Sequence, residues 1–168
     1  ELHAAGIAIE RLSDVLDLEP EQSPSATQSK IVLPELQGAV RFEDVSFRYS
    51  EPAGPLVLQN VSFSIEPGEM LAVVGHSGSG KSTLAKLLVG FHPPSDGSVM
   101  IDGYDLQQIE LHRYRSQIGY VMQNNLLFQG TVGENITLGD DEPDRLRMIE
   151  AATQADAHEF VSAMPMGY

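Results

Sequence analysis

Gly75-His76-Ser77-Gly78-Ser79-Gly80-Lys81-Ser82-Thr83 contains a full match to the pattern G-x-x-x-x-G-K-[ST], and its flanks decide what the match means. Met70-Leu71-Ala72-Val73-Val74 precedes it, an apolar run of strand length. Leu84-Ala85-Lys86-Leu87-Leu88-Val89 follows, rich in helix formers. Strand, glycine-rich turn and helix start form the setting in which this pattern cradles phosphate. Glycine reaches positive φ without steric cost and lets an anion approach the backbone. Successive N–H groups of Gly75, Ser77, Gly78, Ser79, Gly80, Lys81, Ser82 and Thr83 are then expected to face the anion, aided by the helix dipole. Lys81 supplies a point charge for the terminal phosphates, and the Ser82 hydroxyl is placed to ligate Mg²⁺. The plain alternative is a glycine-rich turn with an accidental lysine, and the flanking pattern argues against it.

Composition narrows the field. The chain has 168 residues, 42% of them hydrophobic, enough for one core of ordinary size. A formal net charge of −14 argues against a surface that reads nucleic-acid phosphates, whereas one local anion site built from backbone dipoles is compatible with it. The absence of cysteine excludes disulfides, thiolate zinc sites and cysteine nucleophiles together. The five histidines, His3, His76, His92, His112 and His158, show no metal-ligand spacing. No run approaches the roughly 18 apolar residues of a membrane span.

Along the chain, Leu2, Ala5, Ile9, Leu12, Val15 and Leu16 recur at helical spacing and predict an amphipathic helix over 2–16. Residues 19–38, with Pro20, Pro24, Pro34 and several serines, read as a linker. Ala39–Tyr49 and Leu56–Ile65 alternate apolar with polar residues as half-wet strands would, with a break at Glu51–Pro55. Ser98–Ile101 is expected to be a short strand and Ile118–Met122 another. Helical spacing returns from about Asp144, with Pro143 suited to a first helical position. The expected class is α/β: a phosphate-loop core with an added antiparallel sheet. Asp102, after Val99-Met100-Ile101, is read as a turn residue ahead of Gly103, and Asp140-Asp141-Glu142 as a solvated loop before a helix. His76 is read as a spectator.

Three further elements join the phosphate loop in one resemblance. Phe47-Arg48-Tyr49, the run Tyr120-Val121-Met122-Gln123-Asn124-Asn125-Leu126-Leu127-Phe128, and Thr131-Val132-Gly133-Glu134-Asn135-Ile136 stand in this order at these separations. From about Val40 onward the chain resembles the nucleotide-binding domain of an ATP-binding cassette transporter of the exporter type. The resemblance implies a P-loop NTPase fold that takes ATP and Mg²⁺. It implies that Tyr49 stacks on adenine and that Gln123 is the glutamine of the Q-loop, meeting Mg²⁺ or the attacking water beside Lys81. The family's serine-glycine-glycine-glutamine signature, its apolar strand ending in Asp-Glu and its switch histidine do not occur in this sequence. The resemblance therefore implies a truncated domain over 39–168 that lacks the catalytic carboxylate, preceded by a linker at 19–38. Residues 1–18 would be a helix continuing from a membrane domain of the same chain. It also implies a second nucleotide-binding domain as partner, a place on the cytoplasmic face of the inner membrane as part of an integral membrane protein, and no nucleic acid. Residues 155–168 look most like exporters of peptides or secreted proteins, with lipid exporters similar. A soluble cassette ATPase without a membrane domain, or a small phosphate-loop kinase or GTPase, are the rival readings.

Overall fold

The computed structural model describes Ser13, Leu16, Glu21, Gln22 and residues 29–50, 54–140 and 142–168. Two compact units divide the chain, one up to Ile118 and one from Gly119 to Tyr168. The helix expected over 2–16 lies outside the described residues except for Ser13 and Leu16, both helical.

The first unit is built on a four-stranded antiparallel sheet of order β2-β1-β3-β4. Its strands are β1 (Val40–Phe47), β2 (Leu58–Ile65), β3 (Asp96–Ile101) and β4 (Tyr104–Asp105). Helix α1 (Lys81–Leu88) lies between β2 and β3 in sequence, and α2 (Leu111–Arg115) follows a 3₁₀ turn at Leu106–Gln108. The core gathers Phe42, Val45, Phe47, Leu58, Leu87, Val99, Ile101, Leu106 and Ile109. Phe42 pairs with Phe63 across the ladder, and their rings stack with centroids 4.6 Å apart.

Strict alternation would put Phe42 and Val45 on opposite faces, yet both are buried, at 1% and 0% exposure. The ladder explains this. Two residues lie between Phe42 and Val45 but only one between their partners Phe63 and Val61, so β1 carries one extra residue. Asp44 sits in that stretch at φ 47°, and its carboxylate accepts from the Ser62 hydroxyl at 3.0 Å. β2 then carries a matching extra residue between Val61 and Leu58, where Asn60 has φ 46° and its N–H donates to Ser46 Oγ at 3.0 Å. The two bulges restore register while switching which parity faces inward. Gly97 makes the close approach possible: at φ 80°, a Cβ there would stand 2.3 Å from the Glu43 carbonyl oxygen.

The stretch read as a linker is, over 29–38, docked on this unit. Leu33 is buried, and Ile31 forms a parallel bridge with Ile109. Asp102, at φ 49°, ends the strap as a turn: its carboxylate accepts from the N–H groups of Gln37, Gly38 and Ala39 at 2.9, 3.1 and 2.8 Å. Upstream, Glu21 forms a two-pronged ion pair with Arg115 at 2.6 and 2.7 Å. Arg115 also donates to the carbonyls of Val89 and Gly90, where α1 ends. Hydrogen bonding to Arg115 holds the Glu21 carboxyl below the usual 4.5, outweighing the opposing effect of burial. Burial pushes the Tyr114 phenol up, and its hydroxyl donates to the Leu88 carbonyl at 2.7 Å.

Two expected strands are absent. Met70–Val74 forms no ladder, and Met70 and Val74 are 94% and 89% exposed. Ile118–Met122 likewise forms no strand. A strand with apolar residues on both faces needs a neighbouring strand to satisfy its backbone and cover to bury its side chains; neither run enters a ladder among the described residues, although Ile118 itself packs against the core of the first unit.

Among its described residues the second unit holds three helices, α3 (Val132–Ile136), α4 (Arg145–Gln154) and α5 (His158–Ser162). Thr131 and Glu134 form a reciprocal capping box on α3. The Asn135 amide braces the same turn, accepting from Phe128 N–H at 2.7 Å and donating to the Phe128 and Thr131 carbonyls. The motif at 131–136 is thus a compact turn-and-cap device. Helix α4 begins after Asp144, whose carboxylate caps Leu146 and Arg147, so Pro143 lies just outside the helix rather than in its first turn. Ala152 and Val161 are buried between the helices, and Gly133 N–H donates to the Tyr168 carbonyl at 3.0 Å.

Phe42→Ala should lower the unfolding free energy of this chain by about 3–5 kcal/mol in chemical denaturation. Asp102→Ala should cost roughly 1.5–3 kcal/mol by freeing three amides, and Asp102→Asn less, because asparagine tolerates the positive φ and keeps one acceptor. The stabilisation from the Glu21–Arg115 pair is present above pH 4.5 and lost as pH falls through the lowered value. The gap in stability between the native chain and Glu21→Gln should therefore close on acidification, from no more than about 1 kcal/mol for so exposed a pair.

Candidate phosphate-binding site

The turn from Gly75 to Gly80 curls ahead of α1 rather than running straight. Gly78 and Gly80 take φ of 79° and 88°, a region costly for residues with a Cβ. Gly80 is also buried against the start of β2, and a Cβ there would meet Leu58 Cδ2 at 2.7 Å and the Val57 carbonyl at 3.1 Å. Conformation and contact both demand glycine at this one position.

The amides of the turn are left free to act on something else. Gly80 serves as N-cap of α1 without any side-chain capping bond, and the first turn holds no acidic residue. Ser79 N–H donates to the His76 carbonyl at 3.3 Å, and Leu84 N–H to the Gly80 carbonyl at 2.9 Å. The N–H groups of Lys81, Ser82 and Thr83 have no acceptor among the described residues. Uncapped amides at the positive end of a helix dipole, behind a glycine-lined turn, attract an anion. The Lys81 ammonium folds over the same turn, donating to the carbonyls of Gly75 and His76 at 2.9 and 2.6 Å and to Ser79 Oγ at 3.4 Å. Its bonds to neutral carbonyls leave its charge uncompensated, which suits a phosphate. Ser82 is exposed and Thr83 buried, while Gly75, Ser77, Gly78 and Ser79 line the exposed rim. His76 turns to the Ser77 carbonyl, a local contact that fits a spectator.

Tyr49 belongs to the same constellation. Its hydroxyl lies 3.0 Å from Thr83 Oγ1, so the end of the first strand segment is tied to the first turn of α1. Its ring meets Phe47 and His92 edge-on at 4.9 and 5.4 Å, and the Lys86 ammonium stands 5.4 Å from its centroid. About half of Tyr49 remains exposed. Lys86 and His92 are partners that reading the sequence did not single out. The signal available for Lys86 was its position three residues beyond Thr83, which puts both on one face of the helix.

Gln123 belongs to the other compact unit. It lies exposed in the second unit, on a segment without regular secondary structure. Among the described residues no group of acidic or histidine side chains is arranged to hold a metal ion. Ser82 offers an exposed hydroxyl from the first turn of α1, a kind of oxygen donor that a hard cation can take.

Comparison with known proteins places this geometry. The family model for ABC transporters matches residues 58–168. The leukotoxin translocation ATP-binding protein LktB of Mannheimia glucosida is 44% identical over 168 residues, covering all of this chain and 23% of that protein. Proteins of the same name from Mannheimia haemolytica and Bibersteinia trehalosi match to the same extent. A solved bacterial Atm1-family ABC exporter with ATP bound superposes with a TM-score of 0.83 at 32% identity, covering 99% of this chain and 29% of its own. The chain thus spans about a quarter of the length of the curated relatives it matches.

Gly80→Ala should perturb the turn locally, adding about 1–2 kcal/mol of backbone strain to the clash with Leu58. The expected reading is a lower unfolding midpoint and faster hydrogen exchange at residues 78–84, with the β1–β3 ladder unchanged.

Proposed function

The chain belongs to the ABC transporter family, and from that premise we propose that it is the nucleotide-grasping part of an exporter driven by ATP. The observation that carries this reading is the bare start of α1: glycine-lined turn, unspent amides and an ammonium bonded to neutral oxygens of the same short stretch. The donor set fits a nucleotide's polyphosphate. In that reading the amides of Gly78 to Thr83 hold the phosphates, Lys81 neutralises the terminal ones, and Tyr49 offers its ring to the adenine. Mg²⁺, when bound, would offset phosphate charge; Ser82 would hold it, and Gln123 is the second oxygen donor that the family resemblance implies.

The substrate reading rests on the relatives. Those matching over the whole chain are named for translocation of a leukotoxin, and the solved neighbour is an exporter. We read the transported species here as a protein or peptide for the same reason. A soluble cassette ATPase finds less support, because both comparisons point to exporters; a phosphate-loop kinase or GTPase does not fit the family. The partners are a membrane domain and a second nucleotide-binding domain, with ATP favouring the paired state only so far as it binds that state more tightly. The proposed location is the cytoplasmic face of the inner membrane. Among the described residues no helix is long and apolar enough to cross it.

Residues Glu1–Tyr168 contain the cradle without the family's Asp-Glu strand end or switch histidine. Phosphoryl transfer needs metal, water and charge positioned together. The 168-residue chain should therefore bind ATP weakly and show no steady-state hydrolysis. Lys81→Ala should weaken ATP binding by about ten-fold or more, as expected for a lost charge-assisted contact of roughly 1.5–3 kcal/mol, measured by ligand-observed NMR. Turnover by the pure chain that disappears in Lys81→Ala would refute the first expectation; unchanged affinity would refute the assignment of the loop.

A further inference from the structure

Tyr49 is held more firmly than a half-exposed aromatic at a strand end requires. Its hydroxyl is tied to Thr83, itself only 5% exposed, and the Lys86 ammonium stands over its ring at 5.4 Å. Phe47 and His92 meet the ring at interplanar angles of 83° and 88°. Thr83 and Lys86 both belong to α1, the helix whose first turn forms the phosphate cradle. A cation over an aromatic face is attracted by the ring quadrupole and occupies that face. The ring is thereby fixed at its tip and covered on one side, while half of the residue stays open to solvent.

We infer that Lys86 is a positioning residue for the base platform: from α1 it covers one face of Tyr49, orienting the ring so that its other face receives the nucleotide's base at a set distance from the cradle. This rests on the nucleotide reading given above and extends it. The phosphate site and the base site become one rigid element, because Thr83 and Lys86 anchor the platform to the helix that carries Lys81 and Ser82. Base recognition of this kind depends on stacking and tolerates the identity of the base, since the described contacts hold the ring and leave the base edge unread. The lysine acts through Tyr49, and among the described residues no hydrogen bond or ion pair joins its ammonium to the cradle, so removing its charge should affect ligands that carry a base and spare those that do not.

The test compares ATP with inorganic triphosphate in NMR titrations of the 168-residue chain. Lys86→Met keeps the side-chain length and removes the charge; Lys86→Arg restores a cation. Lys86→Met is expected to weaken ATP by about two- to five-fold, the range of an exposed cation–π contact, and to leave triphosphate affinity unchanged. Lys86→Arg should recover ATP affinity. Tyr49→Phe, which keeps the ring and cuts its tie to Thr83, should also weaken ATP selectively. The ring-proton shifts of Tyr49 in the ligand-free chain should move in Lys86→Met, showing that the contact exists before any ligand arrives. Equal weakening of both ligands would overturn the proposal in favour of simple charge attraction, and no change for either would overturn it outright. If the native chain binds triphosphate but gains nothing from the base, the platform fails while the cradle stands. If it binds neither, the nucleotide reading itself fails and takes the proposal with it.

Discussion

The phosphate turn is pinned to the antiparallel sheet through the contact of Gly80 with the start of β2. Gly80 packs so closely on Leu58 and the Val57 carbonyl that no side chain fits between them. Leu58 pairs in turn with Phe47 across the ladder, and Phe47 lies two residues before Tyr49. One short relay of contacts therefore sets the turn, the first turn of α1 and the aromatic platform relative to one another. Thr83 closes the circuit by bonding the Tyr49 hydroxyl. A site assembled from residues 49 and 75–83 owes its geometry to a sheet that contributes no chemistry.

That sheet reaches its shape through compensated irregularity. The extra residue in β1 near Asp44 and its counterpart in β2 near Asn60 each shift the register by one, and together they cancel. Their combined effect brings Phe42, Val45 and Phe47 to one core, which a regular strand would have divided between two faces. The cost of positive φ at Asp44 and Asn60 is offset locally by hydrogen bonds to Ser62 and Ser46, and Gly97 leaves room for the bulged backbone. The same economy recurs at Asp102, where one carboxylate satisfies three amides and fastens the strap at 37–39.

The far end of α1 is gripped as well. Arg115 gathers the carbonyls at Val89 and Gly90, which lie at the negative end of the helix dipole, and presents its remaining donors to Glu21. Tyr114 adds a buried bond to the Leu88 carbonyl. Helix α1 is thus satisfied at its C-terminal end and unsatisfied at its N-terminal end. That asymmetry concentrates the unspent hydrogen-bonding capacity of the helix where the anion is proposed to sit, and steadies the rest of it.

Local chemistry was legible in the sequence because it depends on neighbours along the chain. The glycines of the turn, Lys81 and Ser82 at a helix start, the strand segments around 40–47 and 58–65, and the Asp102 turn all follow from spacing and intrinsic conformational preference. What needed the tertiary structure involves groups far apart in sequence. Alternation alone hid the paired bulges, since each shows only when the opposite strand is in place. Residues 29–38 looked like a tether because proline and serine suggest one, yet Leu33 and the bridge from Ile31 to Ile109 dock them. Apolar runs at Met70–Val74 and Ile118–Met122 carry strand propensity, but a strand exists only through a ladder with another, and neither run enters one among the described residues. The tie from Tyr49 to Thr83 spans 34 residues, and no periodicity encodes a contact of that kind; packing of the sheet against α1 alone brings the two hydroxyls together.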